Sequence, residues 1–339
     1  MSDAPLETLL RPFETGALPW PVGDVLLLRG RSHYALKRLG AHLQVTQPFK
    51  PESDRLEQDG FTRIDEVEAL RGQWDTILML PPRAREEMRA LFAQASQALS
   101  PQGRVIISVA NAEGAKSAET DLKALFGTVA SDTKNKCRVM WTAPLERCAL
   151  NDAAVTQWLQ LTAVRTQQGT GLQTRPGVFS WQHADNASQL LIQHMPTDLK
   201  GKAADLGAGI GLLTVKLLER NAGILHVDAF EAQQQAVELL QLNTQGLKVA
   251  THWFDVEQGL RDRYDVIVMN PPFHALSKDG RTDIGIRFIN VAANSLKSGG
   301  TLLLVANRHL PYEETLKSNF SSLQVLGEGN GFKVIRATK

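Results

Sequence analysis

The chain carries two copies of one pattern, and that repeat limits the possible folds more than any other feature. Trp74-Asp-Thr-Ile-Leu-Met-Leu-Pro-Pro82 is answered by Tyr264-Asp-Val-Ile-Val-Met-Asn-Pro-Pro272. Ala98-Leu-Ser-Pro-Gln-Gly-Arg-Val-Ile-Ile-Ser-Val-Ala-Asn111 is answered by Ser295-Leu-Lys-Ser-Gly-Gly-Thr-Leu-Leu-Leu-Val-Ala-Asn307, and Leu122-Lys-Ala-Leu-Phe126 by Leu316-Lys-Ser-Asn-Phe320. Three matches in one order read as duplication of a single domain. Short apolar runs without alternation, at 25–28, 105–109 and 266–269, have the character of strands buried on both faces. Between them lie segments of helical spacing, such as Met88, Leu91, Phe92, Ala95 and Leu99. Strands alternating with helices imply parallel sheets flanked by helices, an α/β fold.

The 339 residues suffice for two domains, each burying its own core. The expected division is a first copy over 1–145, a connecting segment over 146–175 and a second copy over 176–339. Trp158-Leu-Gln-Leu161 and the Gly169-Thr-Gly171 turn suggest a hairpin-like entry to the second copy. Further strands are expected at 43–46, 224–231 and 252–255. Helices are expected from about Ser32 and over 83–99, 187–195, 212–220 and 232–242.

With 43% hydrophobic and 22% charged residues the composition is that of a soluble globular protein. The N-terminus lacks the features of a signal peptide, and no apolar run approaches a membrane span, so a cytoplasmic protein without a membrane partner is expected. Cys137 and Cys148 show neither metal-ligand spacing nor a disulfide framework. A net charge of +1 announces no nucleic-acid partner, so any basic footprint is local. Arg29, Arg31, Lys37, Arg38, Lys134, Lys136 and Arg138 are the candidates.

The second copy carries the chemistry. Lys202-Ala-Ala-Asp-Leu-Gly-Ala-Gly-Ile-Gly211 followed by a helix is a strand, a glycine-rich turn and a helix N-terminus, a nucleotide-binding opening. Asp205 at the mouth of Gly207, Gly209 and Gly211 would repel a pyrophosphate but suits a cationic amino-acid moiety. Glu231, ending the next strand, is placed to accept ribose hydroxyls, with Asp228 as the alternative. Asp255, ending the third, is placed to receive an adenine amino group. Asn270 ends the fourth, where two prolines forbid further pairing, so its amide is presented to a planar ligand. In the first copy Leu80 replaces Asn270, Arg83 replaces Phe273, and Arg29-Gly-Arg31 replaces the glycine loop. That copy keeps the core and lacks the polar equipment, as a non-catalytic domain kept for structure or for gripping a substrate would.

These residues together resemble the class I S-adenosylmethionine-dependent methyltransferases, in the branch whose fourth strand ends in Asn-Pro-Pro-Phe or Tyr. Pro176-Gly-Val-Phe-Ser180, Asn270-Pro-Pro-Phe-His274, Val305-Ala-Asn-Arg-His-Leu-Pro-Tyr312 and Gly331-Phe-Lys-Val334 stand behind a degenerate first copy. That set resembles the bacterial ribosomal RNA guanine-N2 methyltransferases of the small-subunit methyltransferase C type. The resemblance implies two tandem Rossmann-like methyltransferase domains, the first degenerate and the second catalytic. It also implies S-adenosylmethionine as cofactor, no metal, and ribosomal RNA or a ribosomal subunit as partner of a monomer. Gly207, Gly209 and Gly211 would line the cofactor, together with Asp205, Glu231, Asp255 and Asn270. Asn270 and the Pro271 carbonyl would accept the target amine, and Phe273 would stack on the base. Trp181-Gln-His183 departs from the family at the expected base entrance, and Ala208 stands where Cys is frequent.

Alternatives from the same motif are a large-subunit guanine-N2 methyltransferase, an adenine-N6 methyltransferase and a protein glutamine methyltransferase. A non-enzymatic RNA-binding assembly factor is a further alternative. Retention of Asp205, the three glycines, Asp255 and Asn270 speaks against that last reading. His274, Arg308 and His309 read as loop residues that touch RNA or close the site, rather than as acid–base groups.

Overall fold

The computed structural model describes residues 3–40, 42–272, 278–308 and 312–339, with side chains from 284 onward in the third stretch. Phe273, His274 and His309 lie outside the described residues. The chain separates into two compact units, 1–163 with 175–177 and 164–174 with 178–339. Residues 146–175, expected as a connector, are thus divided between the two.

The first unit runs α1 (Ala4–Leu9), α2 (Arg11–Glu14), β1 (Val25–Leu28), β2 (Leu43–Val45), α3 (Lys50–Gln58), α4 (Glu66–Ala69), β3 (Trp74–Met79), α5 (Arg85–Gln97), β4 (Leu99–Ala110), α6 (Ala115–Phe126), β5 (Val129–Lys134), β6 (Cys137–Thr142) and α7 (Asp152–Leu159). Among the described residues its sheet has the order β2-β1-β3-β4-β6-β5. The first four strands are parallel, and the last two pair antiparallel. All four residues of β1 are buried because the strand is central and covered on both faces. Leu26 and Leu28 pack with Ile77, Phe92 and Phe126, while Val25 and Leu27 pack with Leu9, Leu36 and Leu78 on the other side.

One expectation changes here. Trp158 belongs to α7 rather than to a hairpin, because the Asn151 side chain accepts the Ala154 N–H and starts a helix there. The helical segment after Ser32 is a 3-10 helix, Tyr34–Leu39.

The second unit runs β7 (Arg165–Thr166), β8 (Gln173–Thr174), α8 (Asn186–Gln193), β9 (Lys200–Leu206), α9 (Leu212–Arg220), β10 (Gly223–Glu231), α10 (Gln234–Asn243), β11 (Val249–Trp253), β12 (Tyr264–Met269), α11 (Lys278–Ser295), β13 (Leu296–Asn307), α12 (Glu313–Asn319), β14 (Ser322–Gly329) and β15 (Phe332–Thr338). Its main sheet has the order β11-β10-β9-β12-β13-β15-β14. β11 through β13 are parallel, and β15 is antiparallel to both its neighbours. The hairpin around Gly169 and Gly171 is β7 with β8. No helix among the described residues is long and apolar enough to cross a membrane.

The two sheets share one strand order, the first lacking a counterpart of β11 among the described residues. The likeness extends to irregularities. Trp74 pairs with Leu99 and Thr76 with Arg104, just as Tyr264 pairs with Leu296 and Val266 with Thr301, so one bulge recurs at one place. Glycine is required inside it. A Cβ on Gly103 would lie 2.5 Å from the Trp74 carbonyl oxygen, and one on Gly300 would lie 2.9 Å from that of Lys297. Asp75 and Asp265, each second in its strand, accept the N–H of Asp24 and Lys202 at 3.1 and 2.8 Å. With Leu99 and Gly103 matched to Leu296 and Gly300, it is Ala110, not Asn111, that stands at the place of Asn307. Ala110 pairs with Cys137 as Asn307 pairs with Phe332.

Candidate active site at the carboxyl ends of the second sheet

Strand order places four residues along one edge: Asp205 and Glu231 within the carboxyl ends of β9 and β10, Asn270 directly after β12 and Asp255 two residues past β11. From β9 the chain steps outward through β10 to β11 and then returns to the other side of β9 as β12. The crevice between β9 and β12 is therefore the switch point, where α/β sheets bind ligands.

Asp205 is fully buried. Its Oδ2 accepts the Thr214 hydroxyl from α9 at 2.7 Å, while Oδ1 has no partner among the described residues. Burial, with the nearby charge of Glu231, pushes its carboxyl up to about 7. The loop that follows is fixed by backbone bonds, since the N–H groups of Gly207 and Ala208 both reach the Phe230 carbonyl at 2.9 Å. Gly207, Gly209 and Gly211 have φ of 74°, 56° and 95°, the left-handed region that excludes most side chains. They differ in what lies beyond them. Among the described residues, a Cβ on Gly209 meets nothing within 4 Å and one on Gly207 only Phe288 at 3.6 Å, whereas one on Gly211 would lie 2.7 Å from Leu240. The first two thus leave open room above the loop, and the third brings α9 close to α10. Asn243 steadies the loop from α10. Its Nδ2 donates to the Ile210 carbonyl at 2.8 Å and the Gln173 carbonyl at 2.9 Å, tying β8 to the loop.

Glu231 accepts the Gly209 N–H on Oε2 and the Gln233 N–H on Oε1, both at 2.8 Å. Burial raises its carboxyl, and these bonds oppose the rise. Asp228, the alternative ribose residue, lies three residues before the strand end and is already engaged. Tyr264 donates to its Oδ2 at 3.0 Å, Lys202 Nζ lies 2.8 Å away, and His226 and His252 Nε2 lie 3.2 and 3.1 Å from Oδ1. Burial would raise this carboxyl, but these partners hold it down at about 2. Asp255 is not part of a strand, because β11 ends at Trp253. It is the N-cap of a 3-10 turn and accepts the Glu257 N–H at 3.0 Å.

Asn270 follows the last residue of β12, with Pro271 buried behind it. Its Nδ2 donates to Asp185 Oδ1 at 3.1 Å and to Ser188 Oγ at 2.9 Å, both at the start of α8. A carboxylate only accepts, so the amide nitrogen faces α8 and Oδ1 is left as the presented acceptor. Asp185, Ser188 and Asn243 are site residues that sequence reasoning missed. The only available signal was Asp185-Asn-Ala-Ser188, which reads as a helix start and no more.

In the first sheet, the register places Leu27 where Asp205 stands, Arg29 at Gly207 and Gln47 at Glu231, with Leu80 at Asn270. Arg29 pairs with Glu66 at 3.0 Å and Glu87 at 2.7 Å, all three largely buried. Gln47 donates to the Gly30 carbonyl at 2.7 Å. The expected basic footprint is correspondingly reduced. Arg31 is held by Asp3, Arg38 by Glu14 and Arg138 by Glu119, and its exposed members are Lys37, Arg38, Lys134 and Lys136.

The model of the methyltransferase small domain matches residues 169–336, and that of its N-terminal partner, methyltransferase small domain N-terminal, matches residues 36–160. The ribosomal RNA small subunit methyltransferase C of Shewanella pealeana is 32% identical over 271 residues, 78% of each chain. That of Shewanella denitrificans is 32% identical over 273 residues, 78% of this chain and 77% of that one. Among solved structures, a T. thermophilus 16S rRNA N2 guanine methyltransferase in complex with AdoMet and guanosine superposes with a TM-score of 0.82. It is 25% identical, and the match covers 99% of this chain and 92% of that one. The chain belongs to the ribosomal RNA small subunit methyltransferase C family.

Proposed function

We propose that this chain is a methyltransferase that uses S-adenosylmethionine to methylate the exocyclic N2 amine of a guanine in the 16S RNA of the small ribosomal subunit. The observation that carries the reading is the pairing of two features across the β9–β12 crevice. On one side lies an open glycine loop beside a buried carboxylate oxygen that has no donor among the described residues, and on the other an amide oxygen held facing outward. The named relatives and the solved neighbour with AdoMet and guanosine support the same assignment.

The residues present fit the cofactor. Asp205 Oδ1 is a buried acceptor awaiting a cationic amino group, and a side chain at Gly209 would enter otherwise open space. Asp205 would hold the methionine part, Gly207 and Gly209 would line the cofactor, Glu231 the ribose and Asp255 the adenine. Gly211 acts through the packing of α9 on α10. Bound there, S-adenosylmethionine supplies a methyl group already activated on a sulfonium.

An exocyclic amine is a poor nucleophile because its lone pair is delocalised into the ring. Asn270 Oδ1 and the Pro271 carbonyl each accept one N–H, which orients the amine and frees its lone pair to attack. The same two acceptors favour the positive charge that grows on nitrogen. The proton then leaves to water. A guanine in structured RNA is unpaired or flipped to reach this crevice, and Phe273 replaces its lost stacking. The first unit supports the second or grips RNA. The protein acts in the cytoplasm as a monomer.

The test is transfer of labelled methyl to separated small and large ribosomal subunits and their naked RNAs, followed by nucleoside analysis. N2-methylguanosine confined to small-subunit RNA is expected. Label confined to large-subunit RNA, or found in adenine or protein, overturns the assignment.

A further inference from the structure

We propose that Asp185 is a positioning residue for the methyl transfer. With Ser188 it holds the Asn270 carboxamide in the one orientation that offers its oxygen to the substrate amine, and it strengthens that oxygen as an acceptor. The inference rests on the reading that Asn270 receives the guanine amine.

Both hydrogens of Asn270 Nδ2 are spoken for, by Asp185 Oδ1 at 3.1 Å and Ser188 Oγ at 2.9 Å. An amide not held in this way turns over at little expense and would present its NH2 face, a donor, to an amine that needs an acceptor. The carboxylate is itself fixed. The same Oδ1 accepts the Ser188 N–H at 3.0 Å as the N-cap of α8. α8 is anchored in turn by Ala187, Leu190 and Leu191, all buried in the core beside β13 and β15. The clamp therefore sits on a rigid element and crosses 85 residues of sequence.

Charge adds to geometry. An N–H bonded to an anion shifts electron density towards the amide oxygen, so the two hydrogen bonds in series reinforce each other. As the nitrogen–methyl bond forms, the methyl–sulfur bond breaks and its electron pair stays on sulfur. The amine nitrogen becomes cationic until its proton leaves to water. A negative charge one amide away from that nitrogen favours the transition state more than the neutral ground state, as catalysis requires.

Asp185→Asn separates this role from helix capping. Asparagine is an equally good N-cap and can still accept from both partners, but it carries no charge. The experiment measures single-turnover methyl transfer to small ribosomal subunits, the KM for that substrate and the cofactor Kd, for the full chain and for Asp185→Asn, Asp185→Ala and Ser188→Ala. Asp185→Asn is expected to lose about tenfold in rate and Asp185→Ala about a hundredfold, with cofactor Kd and KM within about twofold of wild type. The Asn270 side-chain NH2 resonances are expected to move in both. A wild-type rate in Asp185→Asn, or a loss carried by KM or cofactor Kd, overturns the proposal; if Asp185→Ala does not fold, Asp185→Asn decides. A wild type that methylates no guanine removes the underlying reading instead, so the two failures are distinct.

Discussion

Arg29 holds in the first sheet the position that Gly207 holds in the second. Each follows the last residue of its central strand, and each has a left-handed φ, 56° and 74°. The two loops thus share a backbone conformation but not its surroundings. Where the second unit leaves room above the glycine, the first sends a guanidinium to Glu66 and Glu87. Their charges outweigh burial and keep Arg29 firmly protonated. Arg29→Ala leaves two carboxylates largely buried and unpaired, which costs about 3 kcal/mol or more of first-unit stability. Denaturant unfolding is expected to show that loss, while calorimetric titration finds cofactor affinity unchanged. Weaker cofactor binding without a stability loss would contradict this.

Asp205 is expected to couple cofactor binding to pH. Its carboxyl, raised from 3.8 to about 7 by burial, stays protonated in the folded protein at pH values where the unfolded chain has already ionised. It therefore contributes stability that is fully present below pH 3.8 and lost as pH rises to about 7. A cationic ligand group needs the carboxylate, so cofactor affinity should fall by about tenfold per pH unit below neutrality, with proton release on binding. Calorimetry in buffers of different ionisation enthalpy measures that release. Asp205→Asn should bind weakly with a flat pH profile, and a steep profile in this variant would refute the assignment.

The glycines of the loop should separate into two classes. Gly211→Ala combines a left-handed φ with a clash against Leu240, so it should destabilise by roughly 2–4 kcal/mol. Gly209→Ala meets open space and should lose only about 1 kcal/mol, yet lower cofactor affinity. Thermal unfolding with and without cofactor distinguishes the two. Equal stability losses would contradict the division.

Asp228 is a structural hub, engaged by Tyr264, Lys202, His226 and His252. Asp228→Ala removes the acceptor of the buried Tyr264 hydroxyl and the partner of Lys202, a loss of about 2 kcal/mol. Its folded-state carboxyl sits at about 2, below the ordinary 3.8, so this stability is present above pH 3.8 and fades as pH falls towards 2. Cofactor affinity should be nearly retained, whereas Glu231→Ala should lose it. The opposite pattern would exchange their roles.

The parts of this structure that are legible in the sequence are those where local chemistry and tertiary context agree. The run 266–269 is apolar, β-branched and closed by two prolines, and β12 ends at Met269 accordingly. Trp158 is hard to place because a short helix with two buried apolar residues carries little periodicity, although its Asn151 cap is visible. Pro101-Gln-Gly103 has the composition of a turn but forms a bulge inside β4, since strand pairing overrides turn propensity there. Asp255 reads as a strand end because a capping carboxylate and a strand-terminal one look alike in sequence. The Asp185–Asn270 contact is invisible for a different reason, since a long-range hydrogen bond leaves no local pattern.

The second unit is expected to methylate a guanine amine through the Asn270 acceptor. The decisive comparison is of wild type with Asn270→Ala, in cofactor binding and in nucleoside analysis of small-subunit RNA after a single turnover. N2-methylguanosine is expected from wild type and almost none from Asn270→Ala, with cofactor Kd nearly unchanged. Methylation retained in Asn270→Ala, or a loss explained by weak cofactor binding, would contradict it.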